Sequence, residues 1–131
     1  MNLFNINITP EQIDHNKAWV GLLRSEAYKQ GKKVLRTSAD TFCCLGVACD
    51  SYDPKGWTDK MNLSHATRWS WRENASSLPV EVMTYYGLQS PCGWFVDANG
   101  KKNSLAAMND NNTSFAEIAD VIEAELALVT K

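Results

Sequence analysis

Three of the four cysteines of this chain lie in the short run from Phe42 to Asp50, and this run constrains the fold more than any other segment. Free cysteine is among the residue types most often buried, and the run holds no charged side chain before Asp50. Phe42, Leu45 and Cys49 recur at helical spacing, which predicts a short buried helix. A buried strand that contains Val47 is the rival interpretation. In either case so many thiols indicate a packing unit, a metal site or a reactive centre.

Length and composition are those of an ordinary globular chain. The 131 residues fit one domain, which we expect to span residues 1–131. The net charge of −2 argues against broad attraction to nucleic acid or to an anionic membrane. No apolar run approaches the roughly 20 residues of a membrane helix, and residues 1–10 show no signal-peptide pattern. We therefore expect a cytoplasmic protein with reduced cysteines and no membrane contact.

Capping signals predict the two longest helices. Thr9 and Gln12 form a capping box for a first helix, which Gly31 would end. A second capping box at Ser114 opens the last helix, whose apolar residues follow one stripe. Gly46 in the cysteine run permits close approach of another backbone, and we expect the last helix to pack there. The first helix, the cysteine helix and the last helix should then form the core.

Shorter signals complete a prediction of an α+β fold, a mostly helical single domain with a small β-hairpin. Trp94–Val96 is typical of a strand, and Asn99-Gly100 predicts a two-residue hairpin turn behind it. Ser104 can cap a brief helix. The segment His65–Arg72 is ambiguous, because it fits a short helix while its second half alternates like a strand.

A longer pattern runs through the whole chain. It consists of Trp19, Leu22-Leu23-Arg24-Ser25, Tyr28 and Gln30-Gly31, then Phe42-Cys43-Cys44-Leu45-Gly46-Val47 with Cys49-Asp50, then Leu78-Pro79, Val82 and Gly87-Leu88, and finally Leu105, Met108-Asn109-Asp110, Ser114-Phe115, Glu117-Ile118-Ala119 and Ile122-Glu123. The pattern, with its FCCLGVxCD string, resembles a loose family of small uncharacterised bacteriophage proteins over about residues 17–124. The resemblance implies a phage accessory protein and carries over no catalytic residue. Residues 51–77 lie outside it.

A cysteine nucleophile is the most specific chemical hypothesis. A thiol at a helix N-terminus lies at the positive end of the helix dipole, which favours the thiolate. Cys43 or Cys44 would take that position if the helix starts near Phe42. His65 could then act as base, with Asn109 or Asp110 orienting it. The alternative is that both thiols are small apolar groups of the core.

Metal binding is a second hypothesis, which we do not favour. Cys43, Cys44, Cys49, Cys92 and His65 are residue types that bind zinc. However, the chain has no Cys-x-x-Cys pair, and the other spacings fit no standard zinc site. We predict no metal site and no cofactor.

Binding is the third hypothesis, and it rests on an aromatic and basic segment. Aromatic rings beside guanidinium groups stack bases, hold phosphates or form protein interfaces. Asn109-Asp110 would close a pocket beside the cysteine helix. The predicted binding residues are Arg68, Trp69, Trp71, Arg72, Asn109 and Asp110. The rival interpretation is a surface loop whose Trp rings cover the core.

These arguments together favour a non-enzymatic function. We expect a phage accessory protein that binds a host protein or a small ligand in the cytoplasm of the bacterial host cell. Nucleic acid is an open alternative that we do not favour. The alternative class is a cysteine-dependent hydrolase or transferase that uses Cys43 or Cys44 with His65.

Overall fold

The computed structural model describes residues 2–61, 67–72 and 74–130. Within these residues the chain forms five helices and three two-stranded sheets, so the predicted α+β fold is confirmed. The helices are α1 (Pro10–Arg24), α2 (Cys44–Tyr52), α3 (Val80–Tyr86), α4 (Leu105–Asp110) and α5 (Phe115–Val129). The strands are β1 (Lys29–Gln30), β2 (Thr41–Phe42), β3 (Trp57–Met61), β4 (Thr67–Trp71), β5 (Trp94–Val96) and β6 (Lys102–Ser104). None of the five helices is both long and apolar enough to cross a membrane.

The first helix begins where its capping box predicts but ends earlier than expected. The Thr9 hydroxyl accepts the N–H of Gln12, and the Gln12 side chain accepts the N–H of Thr9. The helix ends at Arg24, because the hydroxyl of Ser25 donates to a carbonyl of the last turn at 2.8 Å. The predicted end at Gly31 is therefore wrong. Gly31 instead permits close contact between the end of β1 and β2, since a Cβ there would lie 2.2 Å from the hydroxyl of Thr41 in β2.

The cysteine run forms α2, which confirms the helical interpretation over the strand. Cys43 is the N-cap, and its Sγ accepts the N–H of Gly46 at 3.4 Å. All residues from 44 to 49 are buried. Gly46 does permit a close backbone approach, because a Cβ there would lie 1.8 Å from the carbonyl oxygen of Leu35. The approaching backbone is thus the loop before β2, and the expectation that the last helix packs there is wrong.

The core lies where the helices meet. α1 packs against α5, α2 and α3, and α2 also contacts α3 and α4. Two buried aromatic side chains join these helices through their polar ends. The indole N–H of Trp19 donates to the carbonyl of Cys44 at 3.0 Å, and the hydroxyl of Tyr86 donates to the carbonyl of Ala48 at 2.9 Å. The predicted core of the first, cysteine and last helices is confirmed, with α3 and α4 added to it.

The hairpin of β5 and β6 is present, but its predicted two-residue turn is wrong. The N–H of Asp97 donates to the carbonyl of Lys101 at 2.8 Å, and the N–H of Gly100 donates to the carbonyl of Asp97 at 3.0 Å. A two-residue type I′ turn needs positive φ at both central residues. Gly100 has a φ of 76°, whereas Asn99 is not in that region. The loop is therefore a longer turn that ends in a left-handed glycine.

The ambiguous segment before residue 72 belongs to a second hairpin. β3 and β4 are antiparallel, with Trp57 paired to Trp71 and Asp59 paired to Trp69. Strand character is thus confirmed for residues 67–71, and the short-helix alternative is wrong there. Because side chains alternate along a strand, Trp57, Trp69 and Trp71 belong to one face of this hairpin. This strand register brings Trp57 and Trp69 together at the candidate site.

Candidate binding site around Arg36

A surface arginine lies among three aromatic rings. The guanidinium carbon of Arg36 is 4.0 Å from the ring centroid of Trp69, 5.2 Å from that of Phe42 and 5.5 Å from that of Trp57. All three distances are within the roughly 6 Å at which cation–π attraction is significant. Asp40 holds the same group from its edge, because its Oδ1 accepts Nε–H at 3.0 Å and Nη2–H at 2.7 Å. We use the name Arg36 site for the following residues: Arg36, Asp40, Phe42, Trp57 and Trp69, together with Tyr28 and Asp50.

Local backbone geometry brings Arg36 to these rings. Arg36 pairs with Phe42 in an isolated antiparallel bridge, so the two side chains start from neighbouring backbone positions. The turn between them is closed by the N–H of Asp40, which donates to the carbonyl of Thr37 at 3.0 Å. The Thr37 and Thr41 hydroxyls bond each other at 2.7 Å. This compact turn fixes the backbone from which the Arg36 side chain extends toward the rings.

A carboxylate fixes the orientation of two aromatic side chains of the Arg36 site. Asp50, the last residue of the cysteine motif, accepts the hydroxyl of Tyr28 at 2.5 Å and the indole N–H of Trp57 at 2.8 Å. Burial, and then the bond to Asp50, raise the pKa of Tyr28, so its hydroxyl remains a donor. Tyr28 and Trp57 each meet Phe42 edge to face, with centroids 4.9 Å and 5.8 Å away. These aromatic rings are therefore held in place without a bound partner.

The segment that precedes Arg36 is basic. Lys29, Lys32 and Lys33 are exposed on the segment that leads to Arg36. The Arg36 side chain is 19% exposed, whereas Asp40 is 64% exposed and much of its charge faces water. Asp40 engages Nε and Nη2 only, and within the described ranges Nη1 has no hydrogen-bond partner. The site can therefore offer a fixed guanidinium edge to a carboxylate or a phosphate.

The predicted cysteine centre is sealed in the core. Cys43 is 6% exposed and Cys44 and Cys49 are 0% exposed. Burial raises the pKa of Cys43 to about 11, which exceeds the lowering by its N-cap bond to a backbone N–H. Burial also raises the pKa of Cys44, whose Sγ lies 3.6 Å from the carbonyl oxygen of Leu105. Neutral, inaccessible thiols are poor nucleophiles.

His65, the base of that hypothesis, lies outside the described residues. Among the residues that the structure describes, no group of three or more His, Cys, Asp or Glu side chains is arranged to hold a metal ion.

Asn109 and Asp110 anchor the loop that carries Arg36. Asn109 is fully buried, and its Oδ1 accepts the N–H of Cys44 at 3.1 Å and the Gln30 amide at 3.0 Å. Its Nδ2 donates to the carbonyl of Gly31 at 2.7 Å. Asp110 is exposed and accepts the N–H of Lys33 at 2.8 Å. The bonds of both residues hold backbone in place, and the pocket that they were expected to close beside the cysteine helix stays a prediction.

The four residues predicted from the aromatic and basic segment separate in space. Trp69 belongs to the Arg36 site. Trp71 is fully buried, and its indole N–H donates to the carbonyl of Asp53 at 2.9 Å. Arg72 pairs with Asp53 at 2.8 Å and also with Glu81. The Arg68 backbone lies in β4, but its side chain is outside the described part. Trp71 thus fits the rival interpretation of a ring that covers the core.

Sequence reasoning did not find Arg36, Tyr28, Asp50 and Trp57. These residues share no period, and they lie on four separate segments of the chain. One local signal was available, because Arg36 and Asp40 have opposite charges at a spacing of four. That signal is typical of ordinary surface ion pairs and does not by itself indicate a site.

Comparison with known proteins adds one finding. A family model described as Domain of unknown function (DUF8296) matches residues 12–126. The chain belongs to this family. The match runs from α1 into α5, so it includes the whole Arg36 site and the cysteine helix. No curated protein and no solved structure matches the chain.

Proposed function

We propose that this protein is a non-catalytic phage accessory protein that binds an acidic segment of a host protein in the bacterial cytoplasm, through the Arg36 site. The observation that carries the proposal is the guanidinium of Arg36 held among three rings at the protein surface. The resemblance to small bacteriophage proteins supports the setting. Membership of a family described only by unknown function is compatible with it.

The residue types of the site favour a protein partner. Arg and Trp are the residues most enriched among interface hot spots, because they combine large contact area with directed polar groups. Arg36 already fills the space between the rings, since its side chain is only 19% exposed. A partner would therefore contact the outer edges of the aromatic rings and the free edge of the Arg36 guanidinium. Such a surface suits a protein segment better than a small molecule that must be enclosed.

Charge favours an acidic partner. Lys29, Lys32 and Lys33 are exposed on the segment that leads to Arg36, and their positive charge would steer an anionic segment toward this part of the surface. Nucleic acid is also anionic, but the chain as a whole offers it no excess of positive charge, since the net charge is −2. A long polyanion would have to lie on more of the surface than the lysine-containing segment covers, whereas a short acidic segment would not.

The test compares Arg36 with a matched cation elsewhere. Lys102 lies 4.9 Å from the ring centroid of Trp94, so Lys102→Ala also removes a cation from a tryptophan face, but outside the site. Bacterial lysate is passed over immobilised wild type, Arg36→Ala and Lys102→Ala, and partners are quantified by mass spectrometry. We expect an acidic host protein that Lys102→Ala retains and Arg36→Ala loses. Its purified form should bind wild type at least about tenfold more tightly than Arg36→Ala, a difference of about 1.4 kcal/mol.

A second variant separates binding from folding. Arg36→Lys keeps the charge but loses the planar group that stacks on Trp69 and bonds Asp40 through two nitrogens. We expect intermediate affinity with a wild-type circular dichroism spectrum. Equal capture of the same host proteins by wild type and folded Arg36→Ala would overturn the proposal.

A further inference from the structure

Asp40 occupies one of the edges of Arg36 through which arginine binds carboxylates. A single oxygen of Asp40, Oδ1, accepts both the Nε–H of Arg36 at 3.0 Å and the Nη2–H at 2.7 Å. The strongest arginine–carboxylate pairs have two parallel bonds to two different oxygens, whereas Asp40 uses one oxygen for both bonds. This edge of the guanidinium therefore holds a weaker ligand than it can accept.

Asp40 can be reached from solvent. Its side chain is 64% exposed while that of Arg36 is 19% exposed, so the acid lies on the outer side of the cation. An ion pair at the surface contributes little to stability, because water solvates the charges and salt screens them. A competing carboxylate would therefore lose little by replacing Asp40.

The aromatic rings hold the cation independently of Asp40. The guanidinium carbon of Arg36 lies 4.0 Å from the ring centroid of Trp69, and the rings of Phe42 and Trp57 are also within 6 Å. None of these contacts requires the carboxylate. When Asp40 leaves, Arg36 would therefore stay at the surface with one more edge available for binding.

The backbone at Asp40 has an unusual conformation for an acidic residue. Its φ is 59°, in the left-handed region that glycine adopts without cost and most other residues avoid. The Asp40 N–H closes the turn by donating to the carbonyl of Thr37 at 3.0 Å. Glycine would suit such a turn, so the presence of an acid there points to a role for its carboxylate.

We propose that Asp40 is an internal competitor at the Arg36 site, which the acidic segment of the partner replaces on the Nε and Nη2 edge; this inference rests on the proposed function. The partner first contacts the Nη1 side of Arg36 and then takes the edge that Asp40 leaves. Because Asp40 belongs to the same chain, its effective concentration at Arg36 is high. Isolated carboxylates therefore fail to displace it, whereas a segment with several carboxylates succeeds.

The experiment measures the affinity of a fluorescein-labelled hexaglutamate peptide by fluorescence anisotropy at low ionic strength. Asp40→Asn keeps the size of the side chain and suits the left-handed backbone, but it removes the competing charge. We expect this variant to bind the peptide about tenfold more tightly than wild type. Glu123→Gln is the matched control, because it also removes a carboxylate from an arginine, Arg24, at 2.5 Å and outside the site. It should bind the peptide as wild type does.

A double-mutant cycle tests whether Asp40 acts through Arg36. In the Arg36→Ala background, Asp40→Asn should no longer raise the affinity, because the edge for which Asp40 competes is absent. A gain that persists there would indicate simple repulsion between Asp40 and the peptide, and it would overturn the proposal. So would an Asp40→Asn protein that has the wild-type circular dichroism spectrum and binds the peptide no more tightly than wild type. A residue that only orients Arg36 should lose affinity when it is changed.

Host-protein capture and peptide affinity separate this competition from the proposed function. If Arg36→Ala loses the host protein but Asp40→Asn does not tighten peptide binding, the proposed function stands and the competition is wrong. If Asp40→Asn tightens peptide binding while wild type and Arg36→Ala capture the same host proteins, the competition stands and the proposed partner is wrong.

Discussion

At the scale of single residues, burial decides the chemistry of the cysteines. A thiol at a helix N-cap should be acidified by the helix dipole, an effect worth typically 0.3–1 kcal/mol near a surface. Cys43 occupies that N-cap, yet its pKa is raised to about 11 because the thiol is removed from water. Loss of hydration thus outweighs the dipole. The same cause raises the pKa of Cys44 and Cys49, so the thiol cluster behaves as apolar packing.

Thiol reactivity tests this assignment and, with it, the alternative of a cysteine-dependent hydrolase or transferase. Iodoacetamide applied to the folded protein at neutral pH should label Cys92, which is half-buried, and leave Cys43, Cys44 and Cys49 unlabelled until the chain is unfolded in urea. Labelled sites are located by peptide mass spectrometry. Cys92→Ser should therefore show almost no labelling in the folded state. Rapid labelling of Cys43 or Cys44 in that variant would instead support a reactive centre.

At the scale of elements, the position of α2 depends on one glycine. The carbonyl of Leu35 accepts the N–H of Cys43 at 3.2 Å and lies over Gly46, while the Leu35 N–H donates to the carbonyl of Ala75 at 2.7 Å. The loop before β2 is thereby attached to the start of α2 and to the segment before α3. Because that same loop carries Arg36, the geometry of the site follows from a backbone contact and not only from its own side chains.

A pair of glycine substitutions checks this contact. Gly46→Ala would place a Cβ 1.8 Å from a backbone oxygen, and we expect it to lower the free energy of unfolding by about 3 kcal/mol or more. Gly21→Ala is the control, because a Cβ there meets nothing within 4 Å and the residue lies within α1. That change should raise the free energy of unfolding by about 0.5–1 kcal/mol. Urea denaturation measures both, and similar effects of the two substitutions would contradict the assigned role of Gly46.

At the scale of the whole molecule, polar side chains join segments that are distant in sequence. Asn109 in α4 bonds the start of α2, Gln30 of β1 and the carbonyl of Gly31. Gln30 continues the network, since its amide oxygen accepts the N–H of Phe115 at 3.1 Å. These bonds join the start of α2, α4 and the start of α5 to the same loop, so they favour one arrangement of the three helices. The family match from residue 12 to residue 126 includes all of these segments.

Global stability should fall in mild alkali. Burial raises the pKa of Cys43 from 9.0 to about 11 and also raises that of Cys44 and Cys49. As the pH rises past 9, the unfolded chain loses these protons while the folded chain keeps them. The free energy of unfolding is therefore at its full value below about pH 9 and decreases above it, by up to about 1.4 kcal/mol per pH unit for each thiol.

Urea denaturation at steps from pH 7 to pH 10.5, under reducing conditions, measures this slope. Cys49→Ala should make the slope shallower by the share of one thiol. A stability that stays constant over the whole range would show that the thiols are not held in their neutral form by the fold.

Sequence signals between residues about one helical turn apart were sufficient to predict much of the secondary structure. Both capping boxes and the helical spacing of the cysteine run correspond to observed features, because a cap is decided by its immediate neighbours. Predictions were wrong where a contact between residues more distant in sequence competed with the local signal. Gly31 fits a helix stop locally, but its backbone is needed beside Thr41.

The sequence by itself determined the α+β character, the start of each long helix and the burial of the thiol run. Only the tertiary structure decided that Arg36 meets Trp57 and Trp69 and that Trp71 is core. The physical reason is how far apart in the sequence the interacting residues lie. Caps and apolar periodicity depend on residues a few positions apart, whereas a cation among three rings depends on how loops and hairpins pack, which no local pattern contains.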